Sequence, residues 1–258
     1  MSDITTWMEA ALEAARLAGR VALGHWRREL AVERKEDGSP VTLADRAAER
    51  VAREWIAGRF PADGILGEEF GLERGDAPRR WTVDPIDGTK SFVRGVPLWG
   101  SLVALCEGDR VLAGAAVFPA LDESLVAGPG EGCWHDGTRC RVSEVARLAD
   151  ATILATDAVA LVRGAHADGL AALARGAGVT RTWGDAAGYL LVATGRAEMM
   201  LDLAMKPWDS APLQPIIEEA GGVFTDWTGR ATAFGDGTLA TNATLATVVR
   251  ATLGIARR

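Results

Sequence analysis

Histidine and cysteine are both scarce in this 258-residue chain, at three copies each. An odd count of cysteines (Cys106, Cys133 and Cys140) closes no complete disulfide framework, so a cytoplasmic protein is expected. Cys133 and Cys140 flank His135 as C-x-H-x4-C, which lacks the paired-ligand spacing of a zinc site, and they read as ordinary thiols. Positive charge is also short. The formal net charge is −7, whereas nucleic acids and anionic membranes call for a basic footprint, so neither is expected as a partner. A small anionic substrate stays open, because a bound cation inverts the field of one cleft. No run of 18 or more apolar residues occurs, so no spanning helix is expected. The N-terminus has no basic segment followed by an apolar one, so no secretory signal is read there.

Hydrophobic residues make up 48% and charged residues 24%, the balance of a soluble globular domain. Residues 3–28 read as an amphipathic helix with Trp7, Ala11, Leu12, Ala15, Leu17, Val21 and Leu23 toward one side. After the charged stretch ERKEDGSP, a second helix is expected from about Thr42–Ala44 to Phe60, ended by Pro61 and Asp63-Gly64. The middle is strand-rich: WTVDP, SLVALCEGD, RVLAGAAVF and SLVAGPG are short apolar runs, and Gly108-Asp109 is placed like a hairpin turn. Later segments alternate. ATILATD, AEMMLDL and GVFTDW read as strands. About 166–176, AAGYLLVATG, SAPLQPIIEEAGG and the C-terminal LATVVRATLGIARR read as helices. This order predicts an α+β protein in layers, one domain over 1–258 with lobes of about 1–145 and 146–258.

The tripeptide DGT occurs at Asp87, Asp136 and Asp236. The last two copies have Cys133 and Ala233 three residues earlier and read as plain turns. The first sits in TVDPIDGT. Pro85 donates nothing to a strand ladder, so the strand from Trp81 is expected to break there and aim Asp84, Asp87 and the Ile86 carbonyl into one space. Two carboxylates so close repel unless a cation holds them or one keeps its proton. Hard oxygen ligands suit Mg2+ or Mn2+. Gly88 and Thr89 follow, and backbone N–H groups at a helical opening there suit phosphate oxygens.

Three motifs stand in order: GEE at 67–69, DPIDGT at 84–89 and WDSAP at 208–212, the last followed by EAGG at 219–222. On these the chain resembles the inositol monophosphatase-like phosphatases over nearly its whole length. The resemblance implies an α-β-α-β-α sandwich, Mg2+-dependent hydrolysis of small phosphate monoesters (Mn2+ a substitute) and a homodimer. It implies Glu68, Asp84, the Ile86 carbonyl, Asp87 and Asp209 as metal ligands. Thr89 and Asp45 would activate the attacking water, with Glu68 also catalytic, and the Gly88 and Thr89 amides would hold phosphate. Lys35 matches a mobile-loop lysine. None of His25, His135 and His166 lies in these motifs, which disfavours a histidine or cysteine nucleophile.

DGTKSFVRGVPLW, RTWGDAAGYLLVATGRAEMMLD and LAMKPWDSAP look closer to the histidinol-phosphate phosphatases of this superfamily. One departure is Ala187, where that pattern carries an aromatic. A substrate with an ammonium and an imidazole asks for carboxylates, and Asp185 and Asp202 are the candidates, beside Asp209. Asp185 reads equally as a helix N-cap, Asp202 as a strand-end acid facing solvent, and Arg94 as a phosphate contact or a surface residue. Inositol monophosphates, other sugar or nucleotide monoesters such as 3′-phosphoadenosine phosphates, and a regulatory binding role are the alternatives.

Overall fold

Alanine sets how the first layer packs. The computed structural model describes residues 3–28, 32–34, 40–159, 162 and 165–255. Helix α1 (Asp3–His25) buries Ala10, Ala11, Ala14, Ala15, Ala18 and Ala22. Helix α2 (Leu43–Arg59) buries Ala44, Ala48, Ala52 and Ile56. Both sets recur at three- and four-residue spacing, one face of a helix. Of the bulkier residues expected on the inner face of α1, Trp7, Leu12 and Val21 pack half-buried against this core, whereas Leu23 is 40% exposed. Small side chains bring α1 so close to the sheet that a Cβ on Gly19 would stand 2.7 Å from Pro119 Cγ. Between these helices a two-stranded hairpin pairs β1 (Val32–Arg34) with β2 (Pro40–Thr42). Lys35 lies outside the described residues.

The first sheet comprises β3 (Gly64–Gly67), β4 (Gly71–Glu73), β5 (Arg79–Asp87), β6 (Gly100–Glu107), β7 (Arg110–Phe118), β8 (Glu123–Gly128), β9 (Gly132–His135) and β10 (Thr138–Arg139), with a short helix, α3 (Thr89–Phe92), after β5. Its order is β10-β9-β8-β7-β6-β5-β3-β4. The run from β5 to β10 is an antiparallel meander, and β3 joins β5 in parallel. Gly108, at φ +57, turns β6 into β7 where the Gly108-Asp109 pair predicts a hairpin turn.

The second sheet comprises β11 (Thr152–Ala155), β12 (Val179–Arg181), β13 (Met199–Asp202), β14 (Val223–Thr225) and β15 (Thr238–Thr241), in the order β12-β11-β13-β15-β14. Around it lie α4 (Ala167–Gly176), α5 (Asp185–Ala193), α6 (Pro207–Glu219) and α7 (Ala246–Thr252). Alternation along the strands assigns the layers. In β6, Val103 and Leu105 pack with α1 and α2, while Leu102, Ala104 and Cys106 pack with α5 and α6. In β13, Met200 joins that same central core, while Met199 and Leu201 pack with Leu170 and Leu173 of α4 and Val249 of α7. Strands apolar in both phases belong to sheets covered on both faces. The result is the expected α-β-α-β-α sandwich. No helix among the described residues is long and apolar enough to cross a membrane.

Two local expectations change. The strand from Trp81 does not stop at Pro85: β5 runs on to Asp87, with one extra residue opposite β6 between Asp84 and Asp87. Pro85 is tolerated because β3 has already ended its pairing at Val83, so no ladder donor is missed there. The Pro85 carbonyl accepts instead from Ser101 Oγ at 2.6 Å. Helix α6 also begins earlier than SAPLQP suggested, at Pro207. Proline at the first helical position costs no hydrogen bond, and Asp209 reaches back to accept from the Lys206 N–H at 2.8 Å.

Candidate active site

The β5 bulge supplies the first two acids. Asp84 is buried, and its Oδ1 accepts from the Ile86 N–H at 2.9 Å, which curls the chain so that Asp87 follows onto the same side. Parallel pairing of β3 with β5 brings in the third acid, because the Glu68 N–H donates to the Val83 carbonyl at 3.1 Å, one residue before Asp84. Asp209 enters from the first turn of α6. Carboxylate oxygens of Asp84, Asp87 and Asp209 lie within 4.8 Å of one another.

This spacing is electrostatically costly for a bare protein. Burial, and then the negative charges of Glu68, Asp87 and Asp209, hold the Asp84 carboxyl well above the usual carboxylate range. Asp87 is raised likewise, by burial and then by Asp185 and Asp209. Asp209 is pushed up to about 7 by burial, with Glu68 and Asp185 adding to it against the Lys206 amide. Hard oxygen donors at this spacing fit a divalent cation, which would remove the repulsion.

Asp45 and Thr89 meet beside this cluster. Asp45, in the first turn of α2, accepts from the Thr42 N–H at 2.7 Å and hydroxyl at 2.6 Å through Oδ2. Its Oδ1 lies 3.4 Å from Thr89 Oγ1, which is 3.0 Å from the Ile86 carbonyl. Burial raises the Asp45 carboxyl, with Glu68 adding to the shift against the Thr42 bonds. Thr89 opens α3 behind Gly88, whose φ of +88 and 2.9 Å approach of a would-be Cβ to the Leu98 carbonyl require glycine.

The remaining candidates divide. The amide after Asp185, that of Ala186, donates to Asp87 Oδ2, and a Cβ on Gly88 would stand 3.2 Å from Asp185 Oδ2. Asp185 is thus next to the cluster. The N-cap position falls to Gly184; Asp185 begins the helix at an unusual φ of +53, with its own N–H on Thr156 Oγ1 at 2.8 Å. Its carboxyl is pushed up to about 6 by burial, opposed by Lys90. Asp202 does not face open solvent: it accepts from the Tyr189 hydroxyl at 2.9 Å and from Thr156, and burial pushes it up to about 7 against those bonds. Arg94 is exposed, with Nη1 on the Lys90 carbonyl at 2.8 Å. Cys133 and Cys140 place their sulfurs 3.3 Å apart, while His135 turns to Glu123 at 2.8 Å.

Sequence reasoning gave no role to Thr156, Tyr189 or Glu49. Glu49, fully buried on α2, accepts from the Glu69 N–H at 2.6 Å and the Phe70 N–H at 3.2 Å and is paired with Arg53 at 2.6 Å. It fixes the turn that carries Glu68, and it occupies the space a Cβ on Gly67 would need. Its four-residue spacing from both Asp45 and Arg53 puts all three on one helix face, the signal that was available.

Fold and carboxylate geometry together define a phosphatase of the metal-dependent sandwich type, and the comparisons agree. The Inositol monophosphatase family matches residues 3–255, and the chain belongs to that family. Over 257 residues, 99% of both chains, it is 40% identical to a histidinol-phosphatase of Chlorobaculum parvum. It is 34% identical to a fructose-1,6-bisphosphatase/inositol-1-monophosphatase of Thermotoga maritima, covering 86% of both chains. Its fold superposes on the extragenic suppressor protein suhB of Bartonella henselae with TM-score 0.89 at 29% identity, covering 95% of this chain and 97% of that one.

Proposed function

We propose that this protein hydrolyses L-histidinol phosphate to L-histidinol and phosphate, with Mg2+ held by Asp84, Asp87, Asp209, Glu68 and the Ile86 carbonyl. The observation carrying this reading is the pairing of two acidic groups: three carboxylates within 4.8 Å of one another, and Asp185 and Asp202 beside them. When bound, the cation supplies charge neutralisation for the phosphate oxygens and a lowered pKa for water. The chain does the rest. The Gly88 and Thr89 amides, at the opening of α3, orient the phosphate. Thr89 Oγ1 takes a proton from the attacking water as it passes its own to Asp45 Oδ1, 3.4 Å away. The new water O–P bond forms as the ester P–O bond breaks, and the leaving alkoxide is protonated from solvent.

Asp185 and Asp202 account for the choice of leaving group. An amino alcohol bearing an imidazole carries positive charge, and two half-buried acids beside the cluster favour it over an uncharged polyol. The high identity to the Chlorobaculum protein supports the same substrate. We take the working unit to be a cytoplasmic homodimer.

The test is phosphate release from L-histidinol phosphate, inositol 1-phosphate, 3′-phosphoadenosine 5′-phosphate and fructose 1,6-bisphosphate, each with Mg2+ and with chelator. The expected result is Mg2+-dependent release with the largest kcat/KM on L-histidinol phosphate. A larger kcat/KM on inositol 1-phosphate would reject the substrate assignment, and equal rates in chelator would reject the cation.

A further inference from the structure

Thr156 stands one residue past β11, far in sequence from every motif described above. Its hydroxyl is used twice. The oxygen accepts from the Asp185 N–H at 2.8 Å, and the proton goes to the Asp202 carboxylate. Only a group that both donates and accepts can make both bonds, so valine, of the same shape, can make neither.

What the first bond holds is unusual. Asp185 is at φ +53, in the left-handed region that costs a non-glycine residue free energy and persists only where the surroundings impose it. The surroundings here are specific. Thr156 takes the Asp185 amide and Asp87 takes the next one, from Ala186. Gly184 presses against Thr156, where any Cβ would collide with the threonine backbone and side chain. The turn is therefore pinned from two sides, with the Asp185 carboxylate directed toward Gly88. The second bond, with that from Tyr189 at 2.9 Å, orients Asp202.

We infer that Thr156 is a positioning residue that fixes Asp185 and Asp202 as the two walls of one recess for the cationic group of the substrate. This deepens the histidinol phosphate reading and rests on it for the identity of the ligand. Thr156 touches no reacting atom. It acts by presenting two carboxylates at a set separation, so it selects among phosphate esters by what their alcohol carries.

Thr156→Val and Thr156→Ser decide the matter, with two measurements on each. The first is kcat/KM for L-histidinol phosphate relative to inositol 1-phosphate. In Thr156→Val that ratio falls about tenfold, chiefly through KM for the cationic ester, as expected for lost hydrogen bonds to a charged group, and Thr156→Ser restores it. The second is exchange of the Asp185 amide hydrogen in the substrate-free protein, about tenfold faster in Thr156→Val and restored in Thr156→Ser. An unchanged ratio, unchanged exchange, or serine behaving like valine overturns the inference. A wild-type enzyme with no preference for the cationic ester overturns the substrate reading instead, and the exchange measurement still decides whether Thr156 holds the turn.

Discussion

Asp209→Asn should make the metal-free protein more stable while removing its metal-dependent activity. In the folded chain the Asp209 carboxyl is raised from 3.8 to about 7, first by burial. A carboxyl so shifted is neutral in the folded state over a pH range where the unfolded chain has already ionised. The unfolded state then binds fewer protons, and stability falls as pH rises from about 4 to about 7, then levels off. At about 1.4 kcal/mol per pKa unit the full loss is about 4 kcal/mol. Asp209 is only half-buried, and solvent reaching its outer oxygen reduces this to about 2 kcal/mol. Asparagine keeps an acceptor for the Lys206 N–H, so the helix start of α6 survives. For a chain of this length about 2 kcal/mol corresponds to a Tm increase of roughly 5 °C. The assay is thermal unfolding in chelator at pH 4.5, 6 and 8, with and without added Mg2+. The variant's advantage should be smallest at pH 4.5 and largest at pH 8, and added Mg2+ should raise Tm for the wild type only. An advantage equal at all three pH values, or a variant less stable at pH 8, would refute the account of the site as a repelling cluster awaiting a cation.

Two further outcomes test other parts of the chain. Asp45→Asn should lower kcat on the best substrate by about 10²–10⁴-fold with little change in KM, since its Oδ1, 3.4 Å from Thr89 Oγ1, is the proposed acceptor of the Thr89 proton; a kcat within threefold of wild type would remove Asp45 from the proton path. Asp63→Ala should destabilise the fold by about 2–4 kcal/mol, read by urea unfolding. It strands the buried Trp81 indole N–H, 3.1 Å from Asp63 Oδ2, and the Arg79 guanidinium, 3.0 Å from Oδ1; a loss under 0.5 kcal/mol would contradict that.

The site was legible wherever a residue's chemistry is set by its neighbours in sequence. Asp84, Pro85 and Asp87 lie within four positions, and any conformation open to that stretch keeps the two carboxylates close. The layered fold was legible for a similar reason, since strands such as β6 are apolar in both phases and must be covered twice. The errors fall where a local rule met a distant partner. Proline stops a strand only if a donor is needed at that place, and whether one is needed depends on where β3 ends, eighteen residues before Pro85 in the chain. An aspartate ahead of a helix reads as an N-cap, but Asp185 is turned into the left-handed region by a hydroxyl twenty-nine residues away. Glu49 has the appearance of a solvated helix acid, and is buried because the GEE turn needs acceptors for two amides. Thr156 itself carries no local mark: a threonine at a strand end is common in any protein. Its two bonds exist only because the parallel pairing of β11 with β13 brings the end of one strand beside Asp202 at the end of the other. The residues proposed to hold metal and substrate can thus be named from motifs, while those that set the geometry between them become visible only once the sheets are assembled.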